Sequence, residues 1–432
     1  MPLPIAVRRE WLPSERRAPL SPADLKQLPS AIDVLVQPSD QRVFADQEYV
    51  KNGARLEATL EDAGVIFGLK ELPADRLLEE KVHAFFSHTI KGQPKNMPML
   101  QHLMERRCTL FDFERITDEM GRRLVFFGHY AGVAGMVDTL WALGRRLDAE
   151  GIASPLSTLQ TALDYSSVQS ALDDVARVGA ELEQADLPSE LTPLVIGIAG
   201  DGNAARGAHK VLDALGALTL EPRELAELPK GNGIYRVTFR ERDMVERRLG
   251  LPDPHTFDLQ HYYKRPGRYR GVFERYLPYL NVLCNCIYWD QRYPRLVTIE
   301  GLCQLYDDPS KPVRLKVIGD ISCDIGGAIE ATVRVTTQKQ PVYVYDIETR
   351  GAVDGVVGQG PAILAIYNLP TEFPREASEA FGRALLPFVA PLAEADFSVP
   401  LERIDLPAPL LRALIVYRGE LTPSYLYLEQ HL

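Results

Sequence analysis

The sequence predicts an α/β protein with two parallel β-sheets, each of them doubly wound by helices. Two observations lead to this fold class: short apolar segments alternate with helical patterns through the first 115 residues, and a further apolar strand enters a glycine-rich turn near residue 200. The chain has 432 residues, of which 46% are hydrophobic and 25% are charged. This length exceeds what one hydrophobic core usually serves, so we expect two domains.

Five apolar segments, separated by helix-length connections, predict the first sheet. The expected strands lie at residues 5–8, 32–37, 65–69, 84–87 and 109–113, with helical patterns at 22–28 and 96–105. Strands joined in this way form right-handed βαβ crossovers and run parallel. All of them then end at one edge of the sheet, where ligands bind in open α/β proteins.

Ionisable side chains follow three of these strands at that edge. Lys70 and Glu71 come after the third segment, His88 and Lys91 after the fourth, and Glu114 after the fifth. A charged residue at a strand end is often only the start of a solvated loop. Because a lysine, a histidine and a glutamate converge from three strands, we interpret them as a site with acid–base capacity.

The second sheet begins with a buried strand that runs into a glycine-rich turn. Gly200, Gly202 and Ala205 fit the dinucleotide-binding pattern, since a helix follows the turn and a further strand follows the helix. Small residues let the backbone approach a pyrophosphate, and the helix N-terminus, where Asn203 lies, stabilises its charge. The alternative is a tight strand–helix turn without a nucleotide. Further elements are expected at residues 217–220, 315–319, 342–345 and 362–367 as strands, at 151–190 as a helix pair, and at 376–389 as a helix.

The residue that selects between NADH and NADPH is expected at the end of the strand after the glycine-rich helix. Glu221 follows that strand, about 20 residues beyond Gly200, where an acid normally accepts the ribose hydroxyls of NAD. Arg223 comes two residues later and offers a guanidinium for the 2′-phosphate of NADP instead. The residues leave both cofactors open.

Composition excludes several other classes of function. The 48 basic and 59 acidic residues give a net charge of −11, which argues against a nucleic-acid-binding surface. The five cysteines form no CxxC pair, so we predict neither a zinc site nor a disulfide framework. No apolar run approaches the ~20 residues of a membrane span, and the N-terminus does not read as a signal peptide. We therefore expect a cytoplasmic protein without a metal site.

Five segments, in order along nearly the whole chain, carry a resemblance to a known family. They are ERRAPLSP (15–22), GLKELP (68–73), FFSHTIK (85–91), FFGHYAGVAG (126–135) and DISCDIGG (320–327). Together they resemble the lysine–2-oxoglutarate reductase portion of the α-aminoadipic semialdehyde synthases. More distantly, the chain is similar to alanine dehydrogenases and to lysine-forming saccharopine dehydrogenases.

The resemblance implies two Rossmann-like domains that face a cleft, with the nucleotide domain inserted in the substrate domain. Residues 1–136 and 371–432 would form the substrate domain, and 137–370 the dinucleotide-binding domain. Its implied activity is the reductive condensation of L-lysine with 2-oxoglutarate to saccharopine, with NADPH favoured and NADH possible. A homo-oligomer and a separate saccharopine-cleaving dehydrogenase are possible partners.

The resemblance also implies roles for individual residues. Lys70 and His88 match the acid–base pair. The remaining matches are substrate-binding positions (Arg17, Lys91), acids that line the cleft (Glu71, Glu114), an aspartate near the nicotinamide (Asp324) and further cofactor-binding positions (Asp320, Asn368).

Two other classes remain open from the sequence. A lysine-forming saccharopine dehydrogenase, or another amino-acid dehydrogenase of the alanine dehydrogenase type, would keep the same site. A catalytically silent nucleotide-binding subunit would need no acid–base pair, and the presence of Lys70 and His88 argues against it.

Overall fold

A computed structural model describes residues 2–184, 191–228, 230–248, 257–307 and 313–432. The chain divides into two compact units. Unit 1 comprises Met1–Phe127 and Pro374–Leu432, and unit 2 comprises Gly128–Phe373.

The described residues contain strands β1 to β18. The first six are β1 (Ile5–Val7), β2 (Val34–Val36), β3 (Arg55–Leu56), β4 (Val65–Phe67), β5 (Val82–Phe85) and β6 (Thr109–Asp112). The next ten are β7 (Leu194–Ala199), β8 (Leu218–Leu220), β9 (Ile234–Phe239), β10 (Val245–Arg247), β11 (Tyr269–Gly271), β12 (Val282–Asn285), β13 (Val317–Asp320), β14 (Val342–Asp346), β15 (Gly351–Asp354) and β16 (Ala362–Leu364). The last two are β17 (Leu414–Tyr417) and β18 (Glu420–Leu421).

The α-helices of the described residues are mostly short. They are α1 (Pro22–Leu25), α2 (Asp46–Val50), α3 (Met97–Glu105), α4 (Gly128–Ala149), α5 (Val168–Leu182), α6 (Asn203–Ala214), α7 (Glu241–Met244), α8 (Leu259–Lys264), α9 (Ile299–Tyr306), α10 (Pro374–Glu394) and α11 (Ala408–Ala413). Within this part of the chain, no helix combines the length and apolar character that a bilayer crossing requires.

Unit 1 is built on an eight-stranded sheet in the order β18-β17-β6-β5-β4-β1-β2-β3. Strands β1 to β6 are parallel, so their carboxyl ends lie at one edge. This confirms the predicted α/β fold with a parallel sheet. The sequence missed β3, because Arg55 is exposed and Leu56 only half-buried, so this pair lacks the apolar signal of a core strand.

The C-terminal part of the chain completes unit 1. Helix α10 packs Phe381, Leu385 and Val389 into the same core as β1 and β4. Strand β17 pairs antiparallel with β6, and β18 pairs antiparallel with β17. The helix was predicted, whereas the two strands were not, since they are short and pair with residues far earlier in the chain.

Unit 2 contains a second eight-stranded sheet, in the order β15-β14-β16-β13-β12-β7-β9-β8. Strand β14 pairs antiparallel with both β15 and β16, and the other neighbouring strands of this sheet pair parallel. Helices α4, α5 and α6 contribute to the core on one face, and a separate core covers the other. Both units therefore have the predicted α/β architecture.

The strand order of unit 2 departs from the usual dinucleotide-binding order beside β7. In the usual order, the strand that follows the glycine-rich helix pairs with the strand that precedes this helix. Here β9 pairs with β7 along its full length, and β8 pairs with the outer side of β9. The reason is burial: Val237 and Phe239 of β9 are fully buried, whereas Leu218 of β8 is 61% exposed.

Helices α4 and α6 pack closely because each contributes a glycine to the contact. A Cβ on Gly132 would lie 1.8 Å from the carbonyl oxygen of Ala204, and one on Gly207 would lie 2.0 Å from that of His129. Helix α4 belongs to unit 2 from its first residue. The predicted domain boundary after residue 136 therefore falls inside a helix.

The prediction of a helix pair at residues 151–190 is wrong for the part of this segment that the structure describes. It holds α5, preceded by the 3₁₀ turns Pro155–Thr158 and Ala162–Asp164, while residues 185–190 lie outside the description. Pro155 occupies the first position of a 3₁₀ turn that Ser154 caps. The apolar residues of this segment fill the core of unit 2 from irregular turns instead.

Candidate active site

Lys70 follows β4, and two residues that follow β1 hold its backbone in place. The carboxylate of Glu10 accepts hydrogen bonds from the amides of Leu69 and Lys70 at 2.7 and 3.0 Å. Arg8 donates to the carbonyl of Lys70 and pairs with Glu10 at 3.2 Å, with both side chains buried. A Cβ at Gly68 would lie 2.1 Å from Nε of Arg8, so the glycine makes room for this guanidinium. The turn that presents Lys70 is thus fixed by an ion pair shielded from water.

Arg17 lies in a buried cluster that influences Lys70. Its Nε and Nη2 donate to the two carboxylate oxygens of Glu15 at 2.7 and 2.5 Å, and its guanidinium lies 4.1 Å from the ring centre of Phe127. Burial and the positive charge of Arg17 together lower the pKa of Lys70, against the attraction of Glu15. A lysine with a lowered pKa exchanges protons more readily near neutral pH than an ordinary lysine.

His88 lies in the loop after β5 and faces Glu71. Its Nδ1 is 3.0 Å from Oε2 of Glu71, which makes Nε2 the ring nitrogen suited to proton exchange. The ring stacks on Phe86, and the side chain of Asn96 donates to the carbonyl of His88 at 3.1 Å. The backbone of His88 has a φ of 50°, a left-handed conformation that is uncommon outside glycine.

Glu71 connects the Lys70 turn with the His88 loop. Burial opposes its ionisation, but the hydrogen bond from His88 and the nearby charges outweigh that cost and lower the pKa to about 2. Nζ of Lys95 also lies 3.7 Å from its Oε1. Glu71 is therefore a permanent anion at neutral pH, placed to orient His88.

Asp112, the last residue of β6, ties the neighbouring loops together. Its carboxylate accepts hydrogen bonds from the amide and hydroxyl of Ser87 and, at 2.7 Å, from the amide of Glu114. Burial and the nearby Glu114 raise the pKa of Asp112 to about 6. Asp112 was not predicted as a site residue, because it lies within a segment that is otherwise apolar and was predicted as a strand. A carboxylate at the end of a buried strand is nevertheless a feature that can indicate a site.

Glu114 and Lys91 lie towards the solvent side of this edge. Nη2 of Arg123 donates to Glu114 at 2.8 Å, so the structure adds a cation that the sequence analysis missed. Lys91 is exposed and follows His88 in the same loop. A hydrogen bond thus joins Glu71 to His88, and the charges of Arg17 and Glu71 act on Lys70, whereas Lys91 is exposed to solvent.

In unit 2, the glycine-rich turn has the conformation that a dinucleotide requires. Gly200 has a φ of 98°, and a Cβ there would lie 3.1 Å from Ile287, so glycine suits this position. A Cβ on Gly202 would meet nothing within 4 Å, which leaves the backbone open to a ligand. Helix α6 starts directly afterwards with Asn203, and Ala205 is buried against its neighbours. These residues fit a pyrophosphate at a helix N-terminus.

A cavity of about 330 Å³ opens beside this turn. It is bounded by the turn residues and by Glu241, and most of its remaining wall is aromatic, with Tyr262, Tyr263, Tyr288, Trp289 and Tyr293. These aromatic residues were not predicted from the sequence as part of a site. Its flat rings make a surface on which an adenine can stack.

The other predicted cofactor residues are dispersed over unit 2. Glu221 and Arg223 are exposed after the edge strand β8, where they line a separate cavity with Arg242 and Arg275. Asp320 is buried, and its carboxylate accepts hydrogen bonds from the side chains of Asn285 at 2.8 Å and Thr332 at 2.6 Å. These bonds indicate a structural role for Asp320.

Asp324 and Asn368 occupy two further loops of unit 2. Asp324 is exposed in the loop after β13. The carbonyl of Asn368 accepts hydrogen bonds from the amide and hydroxyl of Thr371 at 3.0 and 2.7 Å, which caps a 3₁₀ turn. In the described part of the chain, no cluster of histidine, cysteine and carboxylate side chains is arranged to hold a metal ion.

Two domain matches connect both ends of the chain with one protein family. The N-terminal domain of the alanine dehydrogenase/PNT family matches residues 6–134. The C-terminal domain of the same family matches residues 313–424. Together the two matches cover more than half of the chain.

Two longer relatives align with nearly the whole of this chain. The α-aminoadipic semialdehyde synthase of Arabidopsis thaliana is 39% identical over 96% of this chain and 40% of its own length. The mitochondrial α-aminoadipic semialdehyde synthase of Rattus norvegicus is 36% identical over 99% of this chain and 47% of its own length. The chain thus spans less than half the length of these relatives.

Among solved structures, an L-alanine dehydrogenase is similar to this chain. The two align with a TM-score of 0.64 and 18% sequence identity, over 99% of each chain. At this identity the likeness establishes a shared fold.

Proposed function

The chain belongs to the alanine dehydrogenase/PNT family, and from that membership we propose that it is a nicotinamide-dependent reductase that joins L-lysine to 2-oxoglutarate as saccharopine. The resemblance of five segments of the sequence to the lysine–2-oxoglutarate reductase portion of the α-aminoadipic semialdehyde synthases supports this pair of substrates, and two relatives carry that synthase name. The observation that carries the proposal is the group formed by Lys70, Glu71 and His88, in which an anion orients a histidine beside a lysine of lowered pKa.

His88 moves the protons of the condensation. Its Nε2 takes a proton from the ε-ammonium of the substrate lysine, which frees the amine to attack the keto carbon. It later returns a proton to the hydroxyl of the carbinolamine, which leaves as water and yields the imine. Glu71, held at 3.0 Å from Nδ1, stabilises the imidazolium between these steps.

Lys70 acts on the keto oxygen. Its ammonium polarises the carbonyl and donates a proton to the oxygen as the amine adds. The neutral amine of Lys70 then takes the extra proton from the carbinolamine nitrogen, so that loss of the hydroxyl as water, after protonation by His88, leaves the protonated imine and restores both side chains. Burial and Arg17 lower the pKa of Lys70, which makes this donation easier. Held at the Gly200 turn and the start of α6, a reduced dinucleotide would supply the hydride that reduces the imine carbon.

Cations around this group receive the dicarboxylate. Arg17 and Lys91 supply positive charge for the two carboxylates of 2-oxoglutarate, and Arg123 adds a third cation beside Glu114. Glu71 and Glu114 attract the substrate's ammonium.

The turn at Gly200 and the first residues of α6 bind the pyrophosphate of the dinucleotide. NADPH is the proposed cofactor, with NADH as the alternative. The cytoplasm is the proposed compartment, in keeping with five free cysteines, although the rat relative is named mitochondrial. A homo-oligomer and a separate saccharopine-cleaving dehydrogenase are the proposed partners.

Product analysis tests the proposed activity. We expect NADPH oxidation when L-lysine and 2-oxoglutarate are both present, and mass spectrometry should detect saccharopine in equal amount. Each substrate alone serves as the control. If ammonia and pyruvate react well while lysine and 2-oxoglutarate give no adduct, the alanine dehydrogenase activity replaces the proposal. Dinucleotide binding without turnover of either pair would indicate a silent subunit.

A second prediction concerns the support of Lys70. We expect Glu10→Gln to lower kcat about 10- to 100-fold, because one acceptor and the charge that holds Arg8 are lost and the Lys70 turn shifts. The dissociation constant for the dinucleotide should stay unchanged. The matched control is Glu57→Gln, which removes a carboxylate that pairs with Arg55 at the same 3.2 Å on the surface. Equal activity of Glu10→Gln and wild type at matched stability would contradict the positioning role.

A further inference from the structure

Strand β9 occupies the position from which the ribose of a dinucleotide is usually recognised. Ala199 of β7 lies opposite Phe239 of β9, and the amide of Gly200 donates to the carbonyl of Phe239 at 2.8 Å. In the usual order, the strand next to the first strand ends beside the glycine-rich turn, and its last residues meet the ribose 2′ position. In this sheet the residue at that place is Arg240.

Arg240 reaches the glycine-rich turn. Its Nε lies 3.3 Å from a carboxylate oxygen of Asp201, between Gly200 and Gly202, and its side chain is 51% exposed. A guanidinium at this distance from the turn lies within reach of a phosphate on the adenosine ribose, and it suits that group as a bidentate donor.

The carboxylate of the next residue, Glu241, already accepts a hydrogen bond within the protein. Glu241 follows Arg240 at the start of α7, and the hydroxyl of Tyr263 donates to its carboxylate at 2.6 Å. An acid that accepts the ribose hydroxyls of NAD normally stands at this position. Here the pairing with Tyr263 turns it towards the aromatic cavity.

By contrast, Glu221 and Arg223 follow β8, which β9 separates from β7. The spacing rule identified them because it counts residues and assumes that consecutive strands are neighbours. The strand order places Arg240 directly at the turn and moves Arg223 one strand further away.

We propose that Arg240 binds the ribose 2′-phosphate and thereby selects NADPH. This inference rests on the proposed function, since it concerns the dinucleotide that this reductase would use. It replaces Arg223 by a residue that the sequence alone did not identify.

Binding of two adenosine fragments tests the proposal without relying on turnover. Adenosine 2′,5′-bisphosphate carries the 2′-phosphate and 5′-AMP lacks it, and calorimetry measures both with the full chain. We expect wild type to prefer the bisphosphate, and Arg240→Ala to weaken its binding about 10- to 100-fold, as expected for loss of a charged hydrogen-bonding group. The affinity for 5′-AMP should change little.

The matched control is Arg270→Ala, which removes an arginine of similar exposure, 57% against 51%, paired with a single carboxylate elsewhere in unit 2. This variant should keep the wild-type preference. If Arg223→Ala weakened binding of the bisphosphate as much as Arg240→Ala, Arg223 would be the residue that binds the 2′-phosphate, as the residue spacing predicts, and the proposal would be overturned.

Other outcomes separate this proposal from the function itself. If wild type binds 5′-AMP at least as tightly as the bisphosphate, Arg240 does not select a 2′-phosphate, while a dinucleotide reductase remains. If the chain binds neither fragment nor any nicotinamide dinucleotide, the proposed function fails with it.

Discussion

Replacing either proposed acid–base residue should nearly abolish turnover. We expect Lys70→Met and His88→Ala each to lower kcat by about 10²–10⁴-fold, the usual contribution of a general acid or base. Dinucleotide binding, measured by calorimetry, should change little because both residues belong to unit 1 and the glycine-rich turn to unit 2. Stopped-flow measurement of NADPH oxidation separates the loss of chemistry from slow product release.

Matched controls come from the same unit. Lys51→Met removes an exposed lysine after α2, and His102→Ala removes a histidine of α3, and both variants should keep near-wild-type turnover. In wild type, the fall of kcat/KM at alkaline pH should begin below the range of an ordinary lysine, because the pKa of Lys70 is lowered. Near-full turnover of Lys70→Met, or persistence of the alkaline limb in it, would remove Lys70 from the chemistry.

The sequence predicted the parts of the fold that depend on local pattern. Strands β1, β2, β4, β5 and β6 of unit 1 come from apolar segments of sufficient length, so periodicity and the connections between them were enough. Lys70 and His88 were predicted as site residues because parallel strands bring their carboxyl ends to one edge of a sheet.

Support for the site was not predictable in this way. Glu10 and Arg8 act on Lys70 across about 60 residues of sequence, and no spacing rule connects residues that meet only when β1 and β4 pair. Asp112 and Arg123 were missed for a related reason, since their partners are set by loop conformation.

The order of the strands in unit 2 was also not predictable from the sequence. The spacing from Gly200 to Glu221 satisfies the dinucleotide pattern, yet β8 ends at the edge of the sheet and β9 takes the inner place. Burial decided this: β9 offers Ile234, Val237 and Phe239 to the core, whereas β8 is largely exposed. A count of residues contains no information about which of two strands is buried more favourably.

Removal of one partner of the buried ion pair between Arg17 and Glu15 should strongly destabilise unit 1. Both side chains are almost fully buried, and burial alone would raise the pKa of Glu15, but the charge and hydrogen bonds of Arg17 outweigh it and lower the pKa. We expect Arg17→Met to reduce the free energy of unfolding of unit 1 by about 3–5 kcal/mol, the usual cost of leaving one partner of a buried pair. Urea unfolding, followed by hydrogen exchange of unit 1 peptides, measures this change.

The double variant Arg17→Met/Glu15→Leu distinguishes the pair's structural cost from its role in binding. With no charge left to bury, this variant should regain more than half of the lost stability, whereas its KM for 2-oxoglutarate should remain high because the cation is gone. The pH dependence gives an independent check. In wild type, the lowered pKa of Glu15 adds stability that is lost as pH falls below the carboxylate's ordinary range. In Arg17→Met the buried carboxylate of Glu15 loses its main cation, so burial raises its pKa, folded molecules bind more protons than unfolded ones, and the stability deficit shrinks as pH falls. A deficit that stays constant with pH, or a double variant as unstable as Arg17→Met, would mean that packing against Phe127, and not the ion pair, is what Arg17 contributes.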